Sequence, residues 1–139
     1  MSSERCVAFM RDLERRDLKV LKPWFSEETV LWVPPRPPVT GARRILCMFR
    51  AIFRMYADIH WRVTEVHPLG GRRYLYLTES WGTIGQGTPY TNHVLTLIEF
   101  DAEGRIASLS DYFKDTAIFQ CGRMPPSDDE PPLEPAAGG

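Results

Sequence analysis

The stretch that decides the fold is Pro89–Asp115, PYTNHVLTLIEFDAEGRIASLSDYFKD. It reads as two β-strands, about Tyr90–Phe100 and Arg105–Phe113, joined through Asp101-Ala102-Glu103-Gly104. Gly104 supplies the positive φ that a tight hairpin needs. Near the end of the otherwise apolar second strand sits one carboxylate, Asp111. An ionisable group among apolar neighbours costs free energy unless it is paired, hydrated or used. Asp111 is therefore the residue to explain.

Outward from the hairpin, Arg72–Ile84 has the same period of two. Tyr74, Tyr76, Thr78 and Ser80 share one face; Leu75, Leu77, Glu79 and Trp81 share the other. Ile59–His67 is a further strand, stopped by Pro68 and a Gly70-Gly71 turn. Before it, Ile45, Met48, Phe49, Ile52, Phe53 and Tyr56 give a helix from Gly41 or Ala42 to about Tyr56 a wide apolar face, with Thr40 as its cap. Glu28–Val33 is a strand, and four prolines in Pro34–Pro38 end it as a rigid extended loop. Residues 3–16, capped by Ser3, and Leu18–Trp24 are two N-terminal helices. Met124–Gly139 is a Pro-rich, acidic, low-complexity tail that buries too little to fold alone. The expected organisation is one domain over 1–123 and a tail over 124–139. Helices followed by strands predict an α+β fold, a curved antiparallel sheet wrapped around three helices.

Composition excludes several classes of function. Seventeen basic and 18 acidic residues are mixed along the 139, for a net charge of −1. Nothing there attracts nucleic acid or an anionic membrane. Cys6, Cys47 and Cys121 are an odd number without a CxxC, which fits a reducing cytoplasm better than a disulfide framework or zinc site. No apolar run reaches membrane-spanning length. Aromatic residues make up 12% of the chain, four of them Trp, which predicts a ring-lined core or pocket.

Several motifs now converge. Arg16-Asp17 follows the first helix, and the Pro-rich loop leads into Gly41-Ala42-Arg43-Arg44. Gly87–Asn92 (GTPYTN) opens the penultimate strand, and Phe100, Gly104-Arg105-Ile106 and Asp111-Tyr112-Phe113 mark the hairpin. Over about residues 4–119 the chain resembles the SnoaL-like family of the nuclear transport factor 2-like/ketosteroid isomerase-like superfamily. The resemblance implies a cone of sheet and helices around one apolar pocket. It places Asn92, Val94, Thr96, Ile98 and Phe100 inward, with Asp111, Leu109 and Phe113 on the next strand and Tyr74, Tyr76, Thr78 and Ser80 on the previous one. The outer set, His93, Leu95, Leu97, Leu75, Leu77 and Trp81, is too apolar for bare solvent, which suggests a homodimer through the outer sheet face.

Activity is tested position by position, because this fold hosts many functions. The ketosteroid isomerase groups fall on Phe9, on Trp32 or Val33, and on Thr96, none of which can serve. Part of the limonene-type epoxide hydrolase set falls on Ser80 and Gly82. The polyketide cyclase acid/base Asp lies seven residues after the hairpin Gly, and Gly104 to Asp111 has that spacing. The resemblance therefore implies a cofactor-independent cyclase, isomerase or dehydratase of secondary metabolism, acting by proton transfer on a small apolar polyketide- or terpenoid-like substrate. The alternatives are a non-catalytic ligand-binding or dimerisation module, and an epoxide hydrolase or epoxide-opening cyclase. The candidate catalytic residues are Asp111 and Asn92, with His93 replacing Asn92 if the strand slips by one. Trp32, Trp61, Tyr76, Ser80, Tyr90, Thr96, Leu109 and Phe113 are the expected pocket wall. His60, His67 and His93 are scattered, and no metal set or cofactor is expected.

Overall fold

The computed structural model of the protein describes residues 3–117. Cys121, the tail and the expected boundary at 123 lie outside the described residues. Three α-helices, α1 (Glu4–Glu14), α2 (Leu18–Leu21) and α3 (Ala42–Met55), pack against six strands. The strands are β1 (Phe25–Trp32), β2 (Val39–Thr40), β3 (Tyr56–Gly70), β4 (Arg73–Ile84), β5 (Thr88–Phe100) and β6 (Ile106–Phe113). Their spatial order is β2-β1-β6-β5-β4-β3. A single 3-10 turn, Lys22–Trp24, links α2 to β1.

The sheet is mixed rather than wholly antiparallel. β6 returns from the hairpin and inserts between β5 and β1, antiparallel to the first and parallel to the second. Period-two patterning reveals faces and not partners, so this one parallel pair was invisible to it. The short β2 was also unexpected. Val39 and Thr40 follow the prolines and pair with Leu31 and Val30.

The hairpin turn forms as expected. Gly104 has φ 84°, and the Asp101 side chain accepts from the N–H groups of Glu103 and Arg105, each at 2.9 Å. The helix caps differ. The Ser3 side chain makes no cap bond, and Gly41, not Thr40, holds the N-cap of α3 at φ 96°. Gly41 donates its N–H to Thr29 O at 2.9 Å, which ties the start of α3 to β1. The Arg16-Asp17 pair has a structural purpose. Asp17 caps α2 by accepting from Lys19 N. Arg16 donates to the carbonyls of Phe53, Tyr56 and Ala57, satisfying orphan acceptors at the C-terminal end of α3.

The core lies between the concave sheet face and the helices. Cys6, Phe9 and Leu13 of α1, Ile45 and Phe49 of α3, and Leu31, Tyr76, Phe100 and Ile106 of the sheet are buried together. Edge-to-face contact of Phe9 with Trp24 (5.4 Å) and stacking of Phe25 on Phe49 (6.0 Å) join the layers. Among the described residues no helix is long and apolar enough to cross a membrane.

Candidate active site

The inward faces of β4, β5 and β6 bring one residue from each strand into register. Tyr76 lies opposite Thr96, and Thr96 opposite Asp111. All three line a cavity that is closed above by Phe9, Met10 and Leu13 of α1 and by Phe49, Ile52 and Met55 of α3. Its free space is about 70 Å³. Of the expected wall, Trp61, Tyr76, Ser80, Tyr90, Thr96, Leu109 and Phe113 line it. Asp111 is the one charged residue on the described wall.

Asp111 is half-buried, and what it exposes faces the apolar cavity. Desolvation dominates there and pushes its carboxyl up to about 6, although Thr96 Oγ1 donates a 2.6 Å hydrogen bond that favours the anion. The carboxylate thus keeps a proton-accepting form near neutral pH, and among the described residues its second oxygen has no hydrogen-bond donor. Tyr76, behind Thr96, is 1% exposed. Burial first, and then the negative charge of Asp111, hold its phenol well above the ordinary value. Its hydroxyl lies 3.3 Å from Met10 Sδ, which joins the row of side chains to α1.

Three expected residues are elsewhere. Trp32 is 50% exposed and lies over an outer groove with Val30 and Leu97. Leu31 and Thr29 take the inward positions of β1, so strand parity turns Trp32 out, and Val33 and Pro34 reach the cavity instead. His93 is exposed on the outer face; the register did not slip. Asn92 does point inward and is buried, but it is absent from the cavity wall. Its Oδ1 accepts from His93 N and Asp115 N, and its Nδ2 donates to Asp115 O at 2.9 Å. The side chain pins the end of β6 beside β5, which fixes the strand that carries Asp111.

Sequence reasoning missed Tyr56. It lines the cavity with its ring centroid 5.2 Å from that of Tyr90. Tyr56 read as the last apolar position of α3. It is the first residue of β3, and a bulge between Tyr56 and Asp58 shifts its parity relative to Ile59 and Trp61. A bulge leaves no signature in hydrophobic periodicity.

The comparisons with known proteins bear on this geometry. The SnoaL-like domain profile matches residues 7–109. The chain belongs to the SnoaL-like domain family. The match stops two residues short of Asp111, so the family accounts for the frame and the carboxylate rests on its own surroundings. A protein of ketosteroid isomerase-like fold from Catenulispora acidiphila, solved with trimethylamine, is 18% identical, with a TM-score of 0.75 over 94% of this chain and 100% of its own. An NTF2-like protein of unknown function from Burkholderia pseudomallei is 20% identical, with a TM-score of 0.75 over 89% and 98%. The epoxide hydrolase/cyclase-like enzyme SalBIII, with a role in pyran ring formation in the polyether salinomycin, is 13% identical, with a TM-score of 0.71 over 81% and 90%. At these identities the likeness is one of fold. A comparison with curated protein sequences finds no match.

Proposed function

We propose that this SnoaL-like protein is a cofactor-independent cyclase or isomerase that moves a proton on a polyketide- or terpenoid-like small molecule. The observation that carries the reading is Asp111: a carboxyl raised to about 6, held by Thr96, on the wall of a cavity that is otherwise apolar and hydroxylic. A base with that affinity takes an acidic C–H proton near neutral pH and can return it to a developing alkoxide or carbanion. No Lys or Arg lines the described wall, which favours a neutral ligand over a phosphate or carboxylate. Asn92 acts through position in this reading, and His93 has no part in it.

The test is deuterium uptake from D₂O at the α-carbon of a small β-keto ester, followed by NMR. Asp111→Asn should lower the protein-catalysed rate about 10²- to 10⁴-fold, the usual worth of a general base. Equal rates for the two proteins would end the proposal. A second reading, a non-catalytic ligand-binding module, is favoured by the cavity's small free space, less than half of the ~150 Å³ of an engineered cavity that holds benzene. Binding of the keto ester without any exchange would support it.

The working form proposed is a cytoplasmic homodimer. On the outer face Leu75 and Leu97 pair, Leu77, Leu95 and Tyr112 form the next row, and Trp81 (42% exposed) and Tyr112 (52%) stand proud. A second copy covering this surface removes apolar area from water. Light scattering behind a sizing column should give twice the chain mass, and Leu95→Glu should halve it.

A further inference from the structure

The cavity has a second polar focus, away from the Tyr76–Thr96–Asp111 row. Tyr56 opens β3 directly after α3, and Arg16 holds its backbone carbonyl at 2.8 Å. Tyr90 on β5 lies opposite Gly82, so no β4 side chain stands beside it at that register position. Ser80, two positions further along β4, completes a group of three hydroxyls on the wall. The two rings tilt at 59° with centroids 5.2 Å apart, and both are only 8% exposed.

The donor count around Tyr90 decides what this group can do. Tyr56 turns its hydroxyl toward the Tyr90 oxygen, and burial first, then the neighbouring Tyr90, keep the Tyr56 phenol neutral. Ser80 and Asn92 also stand near the Tyr90 oxygen, where their polarity favours its anion. A phenol oxygen supplied from its neighbours still has its own O–H to give. Burial outweighs those contacts and leaves Tyr90 protonated at neutral pH, so the O–H is present to be given. Apart from Asp111 and the hydroxyls, the described wall is apolar.

We infer that Tyr90, oriented by Tyr56 and Ser80, is the hydrogen-bond donor of an oxygen-binding subsite for a ketone or enol oxygen of a neutral ligand. Asp111 and this subsite together select a molecule with an acidic C–H and a carbonyl oxygen set apart from it. An anionic ligand is rejected, since the described wall has a carboxylate and no cation. The identity of the acidic C–H rests on the proton-transfer reading above; the oxygen subsite is a statement about binding and is tested apart from it.

The test uses the full-length protein with two isosteric probes, cyclohexanone and methylenecyclohexane, titrated by NMR. The wild type should prefer the ketone. Tyr90→Phe should weaken ketone binding about three- to ten-fold, the worth of one hydrogen bond, and leave the alkene unchanged. Ser80→Ala, which spares both rings, should weaken the ketone alone by a smaller factor and serves if Tyr90→Phe folds poorly. Asp111→Asn should retain the ketone preference while losing deuterium exchange. That combination separates failure of the subsite from failure of the proton-transfer reading. A wild type that binds the two probes alike or takes neither, or ketone binding unaltered in Tyr90→Phe and Ser80→Ala, overturns the inference.

Discussion

Replacing Asp111 by Asn should stabilise the protein, and by an amount that depends on pH. The carboxyl rises from 3.8 in the unfolded chain to about 6 in the fold because burial disfavours its charge. A raised pKa means that the native state binds the proton more tightly than the unfolded state. The wild type therefore has its full stability below about pH 4 and loses it as pH climbs through 6. A rise of about two pH units, at 1.36 kcal/mol each, amounts to about 3 kcal/mol. Asn keeps an oxygen for the Thr96 donor and carries no charge, so the variant lacks this loss. Urea titrations of both proteins at intervals from pH 4 to 8 measure it, and the difference between them cancels every other titrating group. The gap should open by about 3 kcal/mol toward Asn between pH 4 and 7 and then stay flat. In thermal melts the same gap is roughly 6–12 °C for a domain of this size. A gap constant to within about 0.5 kcal/mol across the range would mean that Asp111 is well hydrated, and the reasoning about its environment would fall with it.

Other outcomes follow from the same contacts. The pH–rate profile of any turnover should rise through about 6 as Asp111 ionises, and Thr96→Val should move that midpoint upward, because the lost hydrogen bond favoured the anion. Arg16→Ala should cost about 1–3 kcal/mol in chemical denaturation through the unsatisfied carbonyls at the end of α3, and Arg16→Lys should restore only part of it, lacking the forked guanidinium. Gly82→Ala drives a Cβ into the Asp58 backbone across β3 and β4, where no flexible side chain can yield. Its midpoint of unfolding should drop by an amount equivalent to at least ~2 kcal/mol, the cost of overpacking that rotamer changes cannot relieve.

Much of this was legible because a strand's alternation is a strong physical signal. Buried Tyr74, Tyr76, Thr78 and Ser80 on β4, and Asn92, Val94, Thr96 and Ile98 on β5, are the positions that period two assigned to one face. Long paired strands keep that parity in step, and the hairpin Gly fixed where Asp111 falls. The reading failed where parity is broken or where contact is long-range. Trp32 is aromatic and stands beside the Pro-rich loop, as Val33 does, and only the observed burial of Leu31 shows which way β1 faces. Tyr56 was hidden by the helix-to-strand junction and its bulge. Asn92 was rightly placed on the inner face, but its hydrogen bonds to Asp115 belong to a contact that the local sequence does not encode.

The insertion of β6 between β1 and β5 has a consequence for how the protein is made. Phe25 pairs with Ile106, and Leu31 with Leu109. Until residues 106–113 have left the ribosome, β1 and β5 each present an open, apolar edge to the cell. The nascent chain is therefore most exposed to mispairing just before β6 arrives. That strand both seals the sheet and delivers Asp111, so a chain that has not finished folding has no carboxylate in its cavity. Acquisition of the proposed chemistry and escape from aggregation are one event, set by the same eight residues of β6.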